Sequence, residues 1–253
     1  MPEHSAPPDA FGRTAREYEF GRPEWPDELI DRVVARAGIP DDATVLDLGA
    51  GTGKLTRALV ARFAHVLAVE PDEDMLAVLE EVVPDAEPLV GKADAIPAAA
   101  ASVDAVFSGE AFHWFATRQT VAEIERVLRP RGVFAFFWNI FERHLEPELG
   151  EEVRRFVEAG FARGGRPGQA RVVSGEWRRA FEGSGFGPLH EEELVREIVS
   201  DRDHWLANLV SVSSIAAMAD DERVAFAERV RELTPDVEFR RRYRTVAYWT
   251  RVG

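Results

Sequence analysis

The sequence predicts an α/β protein in which a parallel sheet is covered by helices on both faces. Three observations predict it. From residue 26 to residue 139, short apolar runs alternate with stretches of helical period, the order that βαβ units produce. The runs are apolar at consecutive positions, as in strands buried on both faces. The chain has 253 residues, 45% of them apolar, and a chain of that size buries about three quarters of its unfolded surface.

Helical spacing first appears in Asp27–Ala37, where Leu29, Ile30, Val33, Val34 and Ala37 share a face and Gly38 supplies the stop. Thr44–Leu48 is a buried strand ending in glycines. Residues 54–63 are helical through Leu55, Ala58, Leu59 and Phe63, and 66–69 form a second strand closed by Glu70 and Pro71. Residues 72–83 are helical, with Met75, Leu76, Leu79 and Val82 inward. Strands follow at 88–91 and 103–107, then a helix at 121–128. Arg129, Pro130, Arg131 and Gly132 read as a turn before a fifth strand at 133–138. Beyond Asn139 the pattern predicts helices at 147–163 and 175–181, a strand at 193–199, a largely helical stretch over 202–233 and a last strand within 238–252. No repeat or long low-complexity linker divides the chain. One elaborated domain over 1–253 is therefore expected, with a core over about 11–140 and the remaining strands and helical elements over about 141–253.

Composition removes several function classes. The formal net charge is −14, whereas affinity for a phosphate backbone needs clustered Lys and Arg, so nucleic acid is not an expected partner. No cysteine is present, which removes disulfides, thiolate metal sites and thiol nucleophiles. His4, His65, His113, His144, His190 and His204 show no paired metal-ligand spacing, and no metal is expected. The weakly polar stretches at 96–101 and 210–219 are far shorter than a membrane span. Residues 1–9 are Pro-rich without a basic or apolar leader pattern, so the expectation is a cytoplasmic protein. The basic run at 240–244 reads as a solvated strand or helix end, and the acidic run at 191–193 as a solvated turn.

The informative segment runs from Val45 to Lys54. A buried strand meets Gly49, Gly51 and Gly53 at alternate positions and then opens a helix. Glycines let the backbone turn tightly and approach a ligand, and free amides at a helix start favour polar or anionic groups. A phosphate-binding P-loop would need glycine at Leu48 and a hydroxyl residue at Leu55, so Lys54 is a decoy. The G-x-G-x-G spacing also departs from the G-x-G-x-x-G of dinucleotide sites, which favours a smaller nucleoside ligand. Glu70 closes the next strand, where a carboxylate can accept both ribose hydroxyls. Asp94 follows the third strand at the same edge and can accept from an exocyclic amine such as adenine's.

Four blocks in this order resemble the class I S-adenosylmethionine-dependent methyltransferases, within the broad small-molecule group related to the ubiquinone/menaquinone and trans-aconitate enzymes. The first block is Phe11, Tyr18 and the run Gly21-Arg22-Pro23-Glu24-Trp25-Pro26. The second is Asp47 to Gly53, and the third Glu70-Pro71 with Met75. The fourth joins Ser102-Val103-Asp104, Glu110-Ala111-Phe112-His113-Trp114-Phe115 and Leu128-Arg129-Pro130-Arg131-Gly132. The resemblance covers about residues 11–140. It implies a Rossmann-like, seven-stranded, mostly parallel sheet with helices on both faces and a helical cap or insert. It also implies S-adenosyl-L-methionine as cofactor, S-adenosyl-L-homocysteine as product and a small-molecule methyl acceptor.

Carried over residue by residue, the resemblance gives the cofactor's amino-acid end to Asp47, Gly49, Ala50, Gly51 and Gly53. Glu70 and Pro71 would take the ribose, and Met75, Asp94 and Ala95 the adenine. Glu110 and Ala111 would face the methionine portion, with Tyr18 and Arg22 closing over it. Residues 95–102 depart from the family in their run of alanines. On the acceptor side, His113 is the candidate general base or else a packed wall residue, and Trp114, Trp138 and Ser213 line the pocket. Two other readings use the same cofactor: RNA or protein methylation, and a non-catalytic binder.

Overall fold

The computed structural model describes residues 12–141, 149–163 and 168–253. The expectations for residues 1–9, Phe11, His144 and 147–148 fall outside that set. Seven strands form one sheet: β1 (Thr44–Leu48), β2 (His65–Glu70), β3 (Glu87–Val90), β4 (Val103–Gly109), β5 (Leu128–Phe141), β6 (His190–Ser200) and β7 (Phe239–Arg251). Their order is β3-β2-β1-β4-β5-β7-β6. Pairs from β3 to β5 are parallel, and β7 runs antiparallel to β5 and β6. The chain builds outward from β1 to β3, then crosses back to β4. That reversal leaves a crevice at the carboxyl ends of β1 and β4, where open α/β sheets bind ligands.

The helices of the first half are α1 (Ala15–Gly21), α2 (Asp27–Ala37), α3 (Lys54–Val60), α4 (Glu73–Val82), α5 (Phe112–Phe115) and α6 (Arg118–Val127). Those of the second half are α7 (Glu151–Arg163), α8 (Gly168–Ser174), α9 (Arg202–Val210), α10 (Ser213–Ala216) and α11 (Asp220–Leu233). Consecutive strand residues feed opposite faces. Val45, Ala105 and Phe137 pack with Leu29, Ile30 and Val33 of α2 on one face. Leu46, Val106 and Phe136 pack with Ile124 and Val127 of α6 on the other. A third core holds the insert together, joining Val157, Trp205, Ile215, Phe226 and Val230 to Phe239 at the start of β7.

Three local expectations need correction. Residues 129–132 are not a turn between elements but an irregular start of β5. Leu128 pairs with Val103, the register breaks, and pairing resumes at Val133 with Ala105. Arg131 takes φ 65° within that bulge. Residues 191–193 are not a turn either, because they pair along β7. Their charges meet the basic run across the strands, with Glu193 on Arg244 at 3.1 Å and Glu197 on Arg240 at 3.2 Å, while buried Glu192 pairs with Arg36. The basic run is a strand that exposes Arg240 and Arg244 to solvent, as expected, and across β6 and β7 its charges meet acids. Within 175–181 the helix is a 3-10 segment, Glu176–Phe181.

Candidate active site

β1 delivers Asp47 and then turns through Gly49 and Gly51 at φ 73° and 57°. Gly49 has no room for a side chain, since a Cβ there would lie 2.6 Å from that of Ala111. Gly51 differs, because a Cβ there would meet nothing within 4 Å. Its backbone faces open space. The turn is fixed from β2: the Gly49 and Ala50 amides donate to the Val69 carbonyl at 2.9 and 3.1 Å. The Gly51 amide donates to Glu70 Oε2 at 2.9 Å, and the Asp72 amide to Glu70 Oε1 at 3.1 Å.

Three carboxyl groups converge on this crevice, Asp47 and Glu70 buried and Glu110 half-buried. Asp47 Oδ2 accepts from Thr56 Oγ1 at 2.7 Å, while Oδ1 is buried without a partner. Burial, opposed by the Thr56 hydrogen bond, pushes Asp47 up to about 7. Burial likewise pushes Glu70 up to about 7 against its two amide donors. Glu110 stands just past β4 with φ 54°, a conformation costly for a side chain with a Cβ, and its Oε1 accepts the Asn139 amide at 2.6 Å. Burial raises it to about 7, with the Arg22 charge opposing.

α1 roofs these acids. The Tyr18 phenol is pushed up to about 12 by burial, opposed by Arg22 and reinforced by Glu110, Glu70 and Glu19. Several contacts clamp the roof down. Thr52 Oγ1 donates to Glu19 at 2.7 Å, and Arg57 to Glu19 and Glu24 at 2.5 and 2.7 Å. Lys54 Nζ reaches Glu24 at 2.6 Å and Glu19 at 3.3 Å, so its role is to hold α1. The Gly12 amide donates to Asp72 at 3.0 Å. On the other side Arg22 donates through Nε to Ser211 Oγ and through Nη2 to its carbonyl, both at 3.0 Å.

The remaining expected cofactor residues lie around this frame. Met75 is buried with Ala15 and Val78 between α4 and α1. Ala50 packs against Ala68, Leu76 and Leu79. Ala111 caps the start of α5 beside Gly49. Gly53 caps α3, and Pro71 is exposed after Glu70. Asp94 and Ala95 are exposed in the loop after β3, where Gln119 donates to the Asp94 carbonyl at 3.2 Å.

The acceptor-side residues form a second group. His113 is buried, and its Nδ1 accepts from Trp138 Nε1 at 3.0 Å. An indole nitrogen only donates, so Nδ1 is bare and Nε2 carries the proton of the neutral ring. Burial, helped by the Arg171 charge, pulls His113 down to about 3. Trp138 is itself fully buried against Trp177, Phe136 and Tyr248. Ser213 opens α10, buried with Ser211 and Ser214.

A methyltransferase-domain family model matches residues 46–136. An uncharacterised methyltransferase of Mycobacterium tuberculosis is 43% identical over 148 residues, which span 58% of this chain and 59% of that relative. An uncharacterised methyltransferase-like protein of Schizosaccharomyces pombe is 33% identical over 216 residues, covering 84% of this chain and 81% of the relative. The chain belongs to the class I S-adenosylmethionine-dependent methyltransferases. A solved structure of a candidate type II methyltransferase from Anaeromyxobacter dehalogenans shares the fold, with TM-score 0.63, 26% identity and coverage of 91% of this chain and 98% of its own.

Sequence reading of this methyltransferase did not single out Glu19, Asn139 or Arg171. Each acts through a partner distant in the chain, so no local pattern marks it. Thr52, which donates to Glu19, lies 33 residues away.

Proposed function

We propose that the chain transfers the methyl group of S-adenosylmethionine to a small-molecule acceptor. The observation that carries this reading is the buried Glu70 carboxylate, which holds the Gly51 amide of the glycine turn and keeps lone pairs for ribose hydroxyls. The residues fit that cofactor. The unpartnered Asp47 Oδ1 and the open backbone at Gly51 suit its charged amino-acid end, with Gly49, Ala50 and Gly53 shaping the turn. Glu70 and Pro71 would bind ribose, and Met75, Asp94 and Ala95 would bind adenine. Glu110 and Ala111, under Tyr18 and Arg22, would face the methionine portion. Both halves then form one domain, the first for the cofactor and the second for the acceptor.

When bound, the cofactor supplies a methyl group already activated by its sulfonium. The chain need only hold a nucleophile in line with the breaking bond and keep water out, and such orientation supplies about 7–11 kcal/mol of a barrier. His113 is given no proton-transfer role, because Trp138 occupies its one bare nitrogen. The net charge of −14 weighs against RNA as acceptor.

Calorimetric titration of S-adenosylmethionine and S-adenosylhomocysteine tests the reading. The wild type should bind both, and Glu70→Ala should weaken both at least tenfold, about 1.4 kcal/mol. Incubation with candidate acceptors should then release S-adenosylhomocysteine. Absence of cofactor binding by the wild type would overturn the proposal.

A further inference from the structure

Arg171, on α8, packs its guanidinium 4.9 Å from the centre of the Trp114 ring on α5. The two helices lie against each other. Other arginines have carboxylate partners: Arg57 has Glu19 and Glu24, Arg62 has Asp27 and Asp31, and Arg126 has Glu123. Arg171 is half-buried, and among the described residues no carboxylate pairs with it. Its charge nevertheless reaches His113.

His113 adds an independent observation. With Nδ1 taken by the Trp138 indole, the proton sits on Nε2, and that nitrogen is buried with no partner. Folded proteins rarely leave a buried donor unpaired, so Nε2 is suited to an acceptor. The local chemistry is therefore a cation stacked on an indole beside a neutral N–H donor whose tautomer is locked. A guanidinium fork matches the two oxygens of a planar carboxylate, and stacking on an aromatic face fixes the fork's plane.

We infer that Arg171, His113 and Trp114 form an oxyanion subsite, and that the methyl acceptor carries a carboxylate which this subsite holds. Only the identification of the bound anion as acceptor rests on the methyl-transfer reading; the subsite stands on its own geometry. His113 is a positioning donor within it, and Trp138 acts through His113 by fixing the tautomer.

Calorimetry with benzoate, trans-cinnamate and succinate, each beside its amide, tests the inference in cofactor-free protein and in protein saturated with S-adenosylhomocysteine. At least one acid should bind at least tenfold tighter than its amide. Arg171→Ala should erase that preference while leaving S-adenosylhomocysteine affinity unchanged, and Arg171→Lys should restore it in part. His113→Gln should bind the acid better than His113→Phe. Nitrogen-15 NMR supplies a readout that simple packing would not move: His113 should stay neutral and Nε2-protonated from pH 8 to pH 5, and Nε2 should shift on adding the acid. Acids and amides binding alike, no acid binding, or an Arg171→Ala protein that keeps the preference would overturn the subsite. Acid binding without any S-adenosylhomocysteine binding would instead sink the methyl-transfer reading alone.

Discussion

At the scale of single residues, the candidate site gathers carboxyl groups whose protonation is shifted upward by their surroundings. Asp47, Glu70 and Glu110 are each raised to about 7, with burial as the main cause. In an unfolded chain such groups titrate at about 3.9 to 4.3. Between those values and about 7 the folded chain binds more protons than the unfolded one, so these three groups make stability fall as pH rises through that window. The ligand-free Glu110→Gln protein, which lacks one of them, should therefore lose less stability than wild type between pH 5 and pH 8. Urea unfolding at both pH values measures this, and equal losses would contradict the burial argument. Glu70 stood out in the sequence because a strand end marks it locally, whereas Asp47 and Glu110 entered only through the family resemblance. Arg171 did not stand out, since its contact with Trp114 arises only when α8 meets α5.

Among elements, the contact of α1 with α9 is the tightest in the site's frame. A Cβ on Gly21 would lie 2.2 Å from the Asn208 backbone nitrogen, and backbone atoms cannot swing aside. Gly21→Val should thus part the two helices while the sheet, whose cores lie elsewhere, stays folded. Hydrogen exchange should quicken in α1 and α9 but not in β1 or β4, and S-adenosylhomocysteine binding should weaken at least tenfold, about 1.4 kcal/mol. Unchanged exchange in α1 would refute this. Elements with a single clear period were readable to the residue, as α2 and β1 are. The start of β5 was not, because a proline and a glycine signal a turn equally well in a loop or a bulge. The acids of β6 misled for a related reason: a charge run says nothing about which strand will face it.

Across the whole molecule, α1 touches both the glycine turn of the sheet and the helical insert of the second half. Its own Glu19 holds the glycine turn through Thr52, while Gly12 just before it holds Asp72 at the start of α4 and Arg22 just after it holds Ser211 of the insert. The insert has its own core, joined to the sheet at Phe239. A ligand held beneath α1 should therefore stabilise the insert although it need not touch it. Stabilisation reaches about 2.7 kcal/mol at a hundredfold excess over Kd, enough to slow exchange visibly wherever opening requires α1 to lift. S-adenosylhomocysteine should slow amide exchange across Arg202–Val210 in the wild type. Arg22→Ala, which removes both bonds to Ser211, should retain part of the cofactor affinity through the clamps at Glu19 and Asp72, yet lose most of the protection in α9 when compared at equal saturation. If α9 is protected equally in both proteins, the coupling runs through the sheet and not through α1.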